Sequence, residues 1–113
     1  MNRAQLALDP VLGIGLALWL QPDEEKPAAP AGTAALSAGK RVFLTAGCAT
    51  CHTLADAGAT GRIGPNLDAA KPERGLVINR VTHGQGAMPA FAGTLSPSQI
   101  EAVADYVATR AGA

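Results

Sequence analysis

Two cysteines stand three positions apart with a histidine directly behind the second, Cys48-Ala49-Thr50-Cys51-His52. The chain holds no other cysteine. This C-x-x-C-H spacing is the attachment motif of c-type haem. Each thiol can form a thioether to one vinyl group of the same porphyrin, and the short loop then wraps the macrocycle edge. His52 falls under the iron as its axial base, so one five-residue segment fixes both the macrocycle and its ligand. Three other chemistries compete. A thioredoxin-like redox pair belongs to a strand–helix–strand setting, and none is visible here. A zinc site needs four ligands, and beyond the cysteines only His52 and His83 remain. Inert, buried cysteines are the third. The motif, taken with the all-helical context below, favours haem attachment over these.

An iron held by one histidine takes a soft or imidazole donor on its other face. Apart from Met1 the only methionine is Met88, and the only other histidine is His83. Both fall in the glycine-rich stretch of residues 83–95, ahead of the last predicted helix. Pro89 follows Met88 and stiffens its backbone, which helps hold a flexible thioether in place. A methionine there also suits ordinary core packing. Spacing alone leaves Met88 and His83 both open, with Met88 favoured.

The elements that must position these groups are helices. The 113 residues fit one small domain, with nine Lys+Arg against nine Asp+Glu. That balance excludes a basic nucleic-acid binder. The four aromatic residues, Trp19, Phe43, Phe91 and Tyr106, are few for a core of this size, and a large planar cofactor would supplement it. Leu36 to about Ala46 is predicted as a helix with Val42 and Phe43 inward and Gly47 ending it. Residues 53–74 are expected to be mostly loop, and Gly75–Thr82 a short helix. Ser96-Pro97-Ser98-Gln99 combines a hydroxyl cap, Pro at the first helical position and Gln at the third. Ile100, Val103, Ala104 and Val107 then lay an apolar stripe along the helix that follows. The expected fold class is all-α.

From about Leu36 to Ala111 the chain resembles a class I cytochrome c, especially small monohaem bacterial and photosynthetic types such as cytochrome c6. The resemblance rests on ordered pieces: Gly39-Lys40-Arg41-Val42-Phe43, Cys48–His52, Gly64-Pro65-Asn66-Leu67, Gly84–Phe91 and Ile100–Val107. It implies the cytochrome c fold, with N- and C-terminal helices crossing at Gly39 and loops and short helices around one covalent haem c. It implies His52 and Met88 as iron ligands, and the Pro65 carbonyl as acceptor for His52 Nδ1, a bond that raises ligand basicity. Leu67 and Phe91 join the haem contacts, and Val42, Phe43 and Ile78 help to bury it. A closed six-coordinate His/Met site implies single-electron transfer between redox partners, not catalysis, and disfavours a haem sensor or peroxidase. The alternative is a tethered haem c subunit of a larger dehydrogenase or oxidase complex. Two departures stand out. Cys48 lies five positions after Phe43 where four is common, so an extra turn residue is expected. The domain also lacks the tryptophan that holds a haem propionate in mitochondrial relatives, which leaves Arg62, Arg74 and Arg80 as candidates. His83 has no role in the family pattern and is expected to be an exposed loop residue.

Residues 1–20 are largely apolar, with an uninterrupted run from Val11 to Leu20, and residues 21–35 are rich in Pro, Ala and acid. Attachment of haem to such proteins outside the cytoplasmic membrane, as the resemblance implies, makes an extracytoplasmic location the expectation. As an export signal the segment is short of basic residues, holding only Arg3, and Ala29-Pro30-Ala31 lies far downstream as a cleavage site. Asp9-Pro10 interrupts a span of the ~20 apolar residues that a membrane crossing needs. A helix from Pro10 to Leu20 would be ~16 Å long. The segment fits an uncleaved anchor or docking helix, in contact with a membrane or a membrane oxidoreductase complex, with residues 21–35 as tether; cleavage is the alternative. The haem domain is then 36–113.

Overall fold

The computed structural model describes residues 31–113. Helix α1 runs Ala31–Thr45, α2 Cys48–Cys51, α3 Leu67–Ala70, α4 Arg74–His83 and α5 Pro97–Arg110. Between α2 and α3 lie two short strands, β1 Thr53–Leu54 and β2 Ala59–Thr60, joined by a 3-10 turn over Ala55–Ala57. They pair antiparallel as Thr53 with Thr60 and Leu54 with Ala59. The fold is thus mostly helical, as expected, and the hairpin is an addition. Alternation over only two residues per strand is too short to register as a period.

Helix α1 begins five residues before Leu36, so residues 31–35, expected to be extended linker, are helical. After Pro30 no proline interrupts the Ala31-Gly32-Thr33-Ala34-Ala35 run, and alanine is the best helix former. The helix ends at Thr45, and a turn at Ala46-Gly47 takes up the extra residue before Cys48. The last helix starts as its sequence dictates. Ser96 Oγ accepts from Gln99 N at 3.1 Å while Ser96 N donates to Gln99 Oε1 at 2.8 Å. Each bond satisfies a backbone or cap group that the helix end leaves open.

The core lies where α1, α4 and α5 meet. Val42, Phe43, Val77, Val81, Ile100, Val103, Ala104, Tyr106 and Val107 are buried there, with Leu54 and Ala59 from the hairpin. Phe43 and Tyr106 meet edge to face with ring centroids 6.0 Å apart. Gly39 sets the crossing of α1 on α5: a Cβ there would overlap the Ala102 carbonyl oxygen and lie 2.5 Å from Tyr106 Cβ. Only hydrogen fits. The Tyr106 hydroxyl donates to Asp56 Oδ2 at 2.6 Å, which satisfies its one polar atom inside the core. Burial and that bond push its pKa up.

One carboxylate ties the hairpin and the end of α5 to α3. Asp68 Oδ2 accepts from Ala55 N and Oδ1 from Gly112 N, each at 2.8 Å. The Gly112 bond, then the Ala55 bond, hold its pKa below the usual carboxylate value. A carboxylate with a lowered folded-state pKa stabilises the fold above the unfolded value and stops doing so as pH falls through the folded one. The thermal midpoint is therefore expected to drop as pH is lowered below ~4. Scanning calorimetry of Asp68→Asn, which cannot titrate, should show a shallower drop over the same range and a lower midpoint at pH 7.

Candidate functional site

Helix α2 carries both cysteines and ends at His52, which leaves the helix in extended conformation. Three backbone bonds fix this exit. His52 N donates to Cys48 O at 3.0 Å, Gly64 N to Cys51 O at 2.7 Å and Gly61 N to His52 O at 3.2 Å. The ring is fixed in turn. His52 Nδ1 lies 2.7 Å from the Pro65 carbonyl oxygen. A carbonyl can only accept, so Nδ1 carries the hydrogen, and in the neutral ring Nε2 keeps the lone pair that a metal needs. Gly64 backs the ring so closely that a Cβ there would lie 2.7 Å from His52 Cε1.

The two cysteines form no disulfide, and both are half-buried. Burial pushes the Cys48 thiol up to about 11. A catalytic dithiol works through a thiolate of lowered pKa, and burial shifts Cys48 the other way.

Met88 sits in a tight turn. Gln85 N donates to Met88 O and Met88 N to Gln85 O, both at 3.0 Å. Phe91 N donates to Val81 O at 2.8 Å, which ties the far side of the loop to α4. With both main-chain groups of Met88 bonded and Pro89 behind it, the thioether is presented from a held backbone.

Two cavities, of about 290 and 220 Å³, meet on Cys48, His52, Pro65, Gln85 and Met88. The first also takes in Cys51, Ile63, Gly64 and Phe91. The second is lined by Leu67, Arg80 and the core residues Phe43, Val77, Val81 and Val103, among others. Their joint size falls in the ~300–1,000 Å³ of cofactor sites. All seven residues singled out from the sequence, Cys48, Cys51, His52, Pro65, Leu67, Met88 and Phe91, line one cavity or both. Two cysteine sulfurs on the wall, an imidazole whose Nε2 has a lone pair, a thioether on the same two cavities and apolar surroundings fit a haem. Among the described residues no group of three or more His, Cys, Asp or Glu could hold a bare metal ion.

Other expectations change. His83 is in the last turn of α4, not in the loop; its Nδ1 lies 3.2 Å from Asn79 O and it lines neither cavity. Ile78 faces a separate groove with Leu95 and Ile100, and Val42 is in the core without lining a cavity. Of the three arginines, Arg74 pairs with Asp105 of α5, and Arg62 borders a separate polar hollow with Thr53, Thr60 and Asn66. Of the three, only Arg80 lines one of the two cavities that meet on His52 and Met88, and among the described residues it has no carboxylate partner, its one side-chain bond going to Asn79 Oδ1 at 3.3 Å. Arg80 and Gln85 were not separable by type from other surface polar residues. Val77, Val81 and Val103 carried the signal of helical spacing but not which side of it would face a cavity.

Comparison with known proteins follows the same lines. Residues 34–107 match the family described as cytochrome c oxidase, cbb3-type, subunit III. Cytochrome c6 of Picosynechococcus sp. is 44% identical over 97 residues, covering 73% of this chain and 79% of the relative. Cytochrome c6 of Microcystis aeruginosa is 39% identical over 77 residues, covering 65% of this chain and 94% of the relative. The crystal structure of the c-type cytochrome SorU from Sinorhizobium meliloti is similar with a TM-score of 0.66 and 51% identity, over 69% of this chain and 92% of that one.

Proposed function

The chain belongs to the c-type cytochromes and, as a one-haem electron carrier with covalently bound haem c, we propose that it passes single electrons between protein partners through a closed site ligated by His52 and Met88. When bound, the haem supplies a one-electron ferric/ferrous couple. Every other part of the task falls to this chain's side chains. Cys48 and Cys51 hold the macrocycle by thioethers. His52 ligates through Nε2, while Pro65 fixes its tautomer from behind and raises its basicity. Met88 would supply the second iron ligand, and a thioether in that role favours the ferrous state. Leu67 and Phe91 add apolar walls that keep water from the iron.

The observation that carries this reading is the meeting of both cavities on His52 and Met88 while His83 lies off them. With no open position, the site exchanges electrons and does not bind substrate.

Arg80 is the residue we assign to a haem propionate, the only carboxylate such a cavity would bring to it. Isolated charge at an apolar wall is unfavourable unless paired. Removing a cation beside the haem eases the ferric state, so Arg80→Gln should lower the midpoint potential at pH 8. It also leaves the propionate to titrate nearer neutrality, so the potential should climb as pH falls. Spectroelectrochemical titration from pH 5 to 9 checks both. The wild type should give one single-electron wave with a flatter pH profile. Two waves would contradict the one-haem carrier, and matching Arg80→Gln and wild-type profiles would remove Arg80 from this role.

A second reading, a haem subunit tethered to a larger dehydrogenase or oxidase complex, draws on the match to the oxidase subunit family. It draws also on the apolar run 11–20 ahead of the Pro-rich stretch, a sequence suited to an anchor or docking helix. The two readings share one site and differ in whether the carrier diffuses. Both place the protein outside the cytoplasm. Among the described residues no helix is long and apolar enough to cross a membrane; the proposed anchor, residues 1–20, and residues 21–30 of the predicted tether 21–35 lie outside the described part.

A further inference from the structure

Three links join the segment after the cysteines to the segment after Gly64, all at the same offset of thirteen residues. His52 Nδ1 bonds the Pro65 carbonyl. Thr53 and Asn66 form a parallel bridge. Ala55 N donates to the Asp68 carboxylate. The constant offset makes these one short ladder, with the histidine at one end and Asp68 at the other. Asn66 stiffens the middle, since its side chain caps α3 by accepting from Ala69 N at 3.2 Å. Asp68 does not stop at the ladder. Its second oxygen takes Gly112 N, 44 residues away in the turn that ends α5.

The junction is built on both sides. Lys71, among the described residues the one non-glycine with positive φ, sits at +46° directly after α3. Its side chain fills the place where a Cβ on Gly112 would go. A left-handed lysine costs free energy and persists only where its surroundings hold it. Here they bring α3 and the C-terminal turn together across Asp68.

We infer that Asp68 is a positioning residue for the iron's histidine: by bonding Ala55 and Gly112 it clamps the ladder that holds the Pro65 carbonyl on His52 Nδ1, and so couples the end of α5 to the reduction potential. The inference rests on the reading of His52 as the iron ligand. A firm bond from Nδ1–H raises imidazole basicity and favours ferric iron. Loosening the ladder therefore weakens that bond and raises the potential.

The test uses the holoprotein, in wild-type form and as Asp68→Asn, Asp68→Ala and Tyr106→Phe. Asparagine keeps one acceptor oxygen for one of the two N–H groups, so this variant retains half of the clamp. Tyr106→Phe deletes the bond to Asp56 but leaves the ladder intact, and serves as the control for lost stability alone. Exchange of the His52 Nδ1 proton is followed by NMR in the ferrous state, beside the midpoint potential and the thermal midpoint. Exchange should quicken at least about tenfold in Asp68→Ala, since tenfold is the scale of one lost hydrogen bond and this variant loses two, and by less in Asp68→Asn. Both potentials should rise in the same order, while Tyr106→Phe lowers the thermal midpoint without moving either readout. Asp68 variants that lose stability but match Tyr106→Phe in exchange and potential would overturn the clamp. The ligand reading beneath it fails separately, if the His52 ring protons of the oxidised wild type carry no paramagnetic shift.

Discussion

Changing Cys48 and Cys51 together to serine is expected to yield a protein that loses its haem to acid–acetone extraction and unfolds at a temperature that depends on added haem. The wild type should keep its colour through extraction and unfold at a temperature indifferent to free haem. Covalent attachment makes the cofactor part of the chain, so its stabilisation does not depend on concentration. Without thioethers the haem stabilises the folded state only by mass action, about 2.7 kcal/mol at a hundredfold excess over Kd and little when dilute. The effect is large because the cavity is cut into the core itself. Phe43, Val77, Val81, Val103 and Val107 are both core residues and cavity walls. Removing the haem takes away the atoms on one side of each, and a domain this size has little apolar burial to spare. Single serine variants keep one thioether and should fall between. Calorimetry at several haem concentrations separates the cases.

Met88→Ala is expected to lower the midpoint potential on the order of 100 mV, within the ~0.8 V that axial ligation spans, and to open the iron to carbon monoxide in the reduced state. Thioether sulfur stabilises ferrous iron, so its loss shifts the couple toward ferric. The Gln85–Met88 pairing is made of main-chain bonds, so the loop should persist with a small side chain and a vacant position. His83 is held one turn back by Asn79 O and is not expected to move in. Potentiometry and carbon monoxide titration read the two effects independently. A potential and a spectrum like the wild type would mean that Met88 is not the ligand.

What could be read from the sequence was what depends on near neighbours. The capping box at Ser96–Gln99, the apolar stripe of α5 and the cysteine–histidine spacing each lie within a few residues, and each set local structure directly. The crossing at Gly39 was legible through resemblance, and its reason is steric: the Ala102 carbonyl occupies the place of a side chain. The ladder from His52 to Asp68 was less so. Its first rung came from the family pattern, but the rungs at Thr53–Asn66 and Ala55–Asp68 use main-chain groups that every residue owns. Asp68 to Gly112 spans 44 residues between a common acid and a glycine, and nothing local marks it. The arginines show the same limit. Arg74 and Arg80 lie on one helix, yet one turns to Asp105 and the other to the cavity. Which face meets which neighbour is a tertiary fact.

The start of α1 teaches a related point. Pro22, Pro27 and Pro30 lead one to expect an extended stretch through residue 35, but no proline follows Pro30, and the helix has begun by Ala31 in an alanine-rich run.

The closed His52/Met88 site is tested most directly by proton NMR of the reduced, diamagnetic protein. A methionine methyl bound at the haem axis lies in the shielding cone of the porphyrin ring, so one three-proton resonance should appear far upfield of all other methyls and vanish in Met88→Ala. A reduced wild-type spectrum without that resonance, with the shielded imidazole protons of a second histidine in its place, would contradict the account.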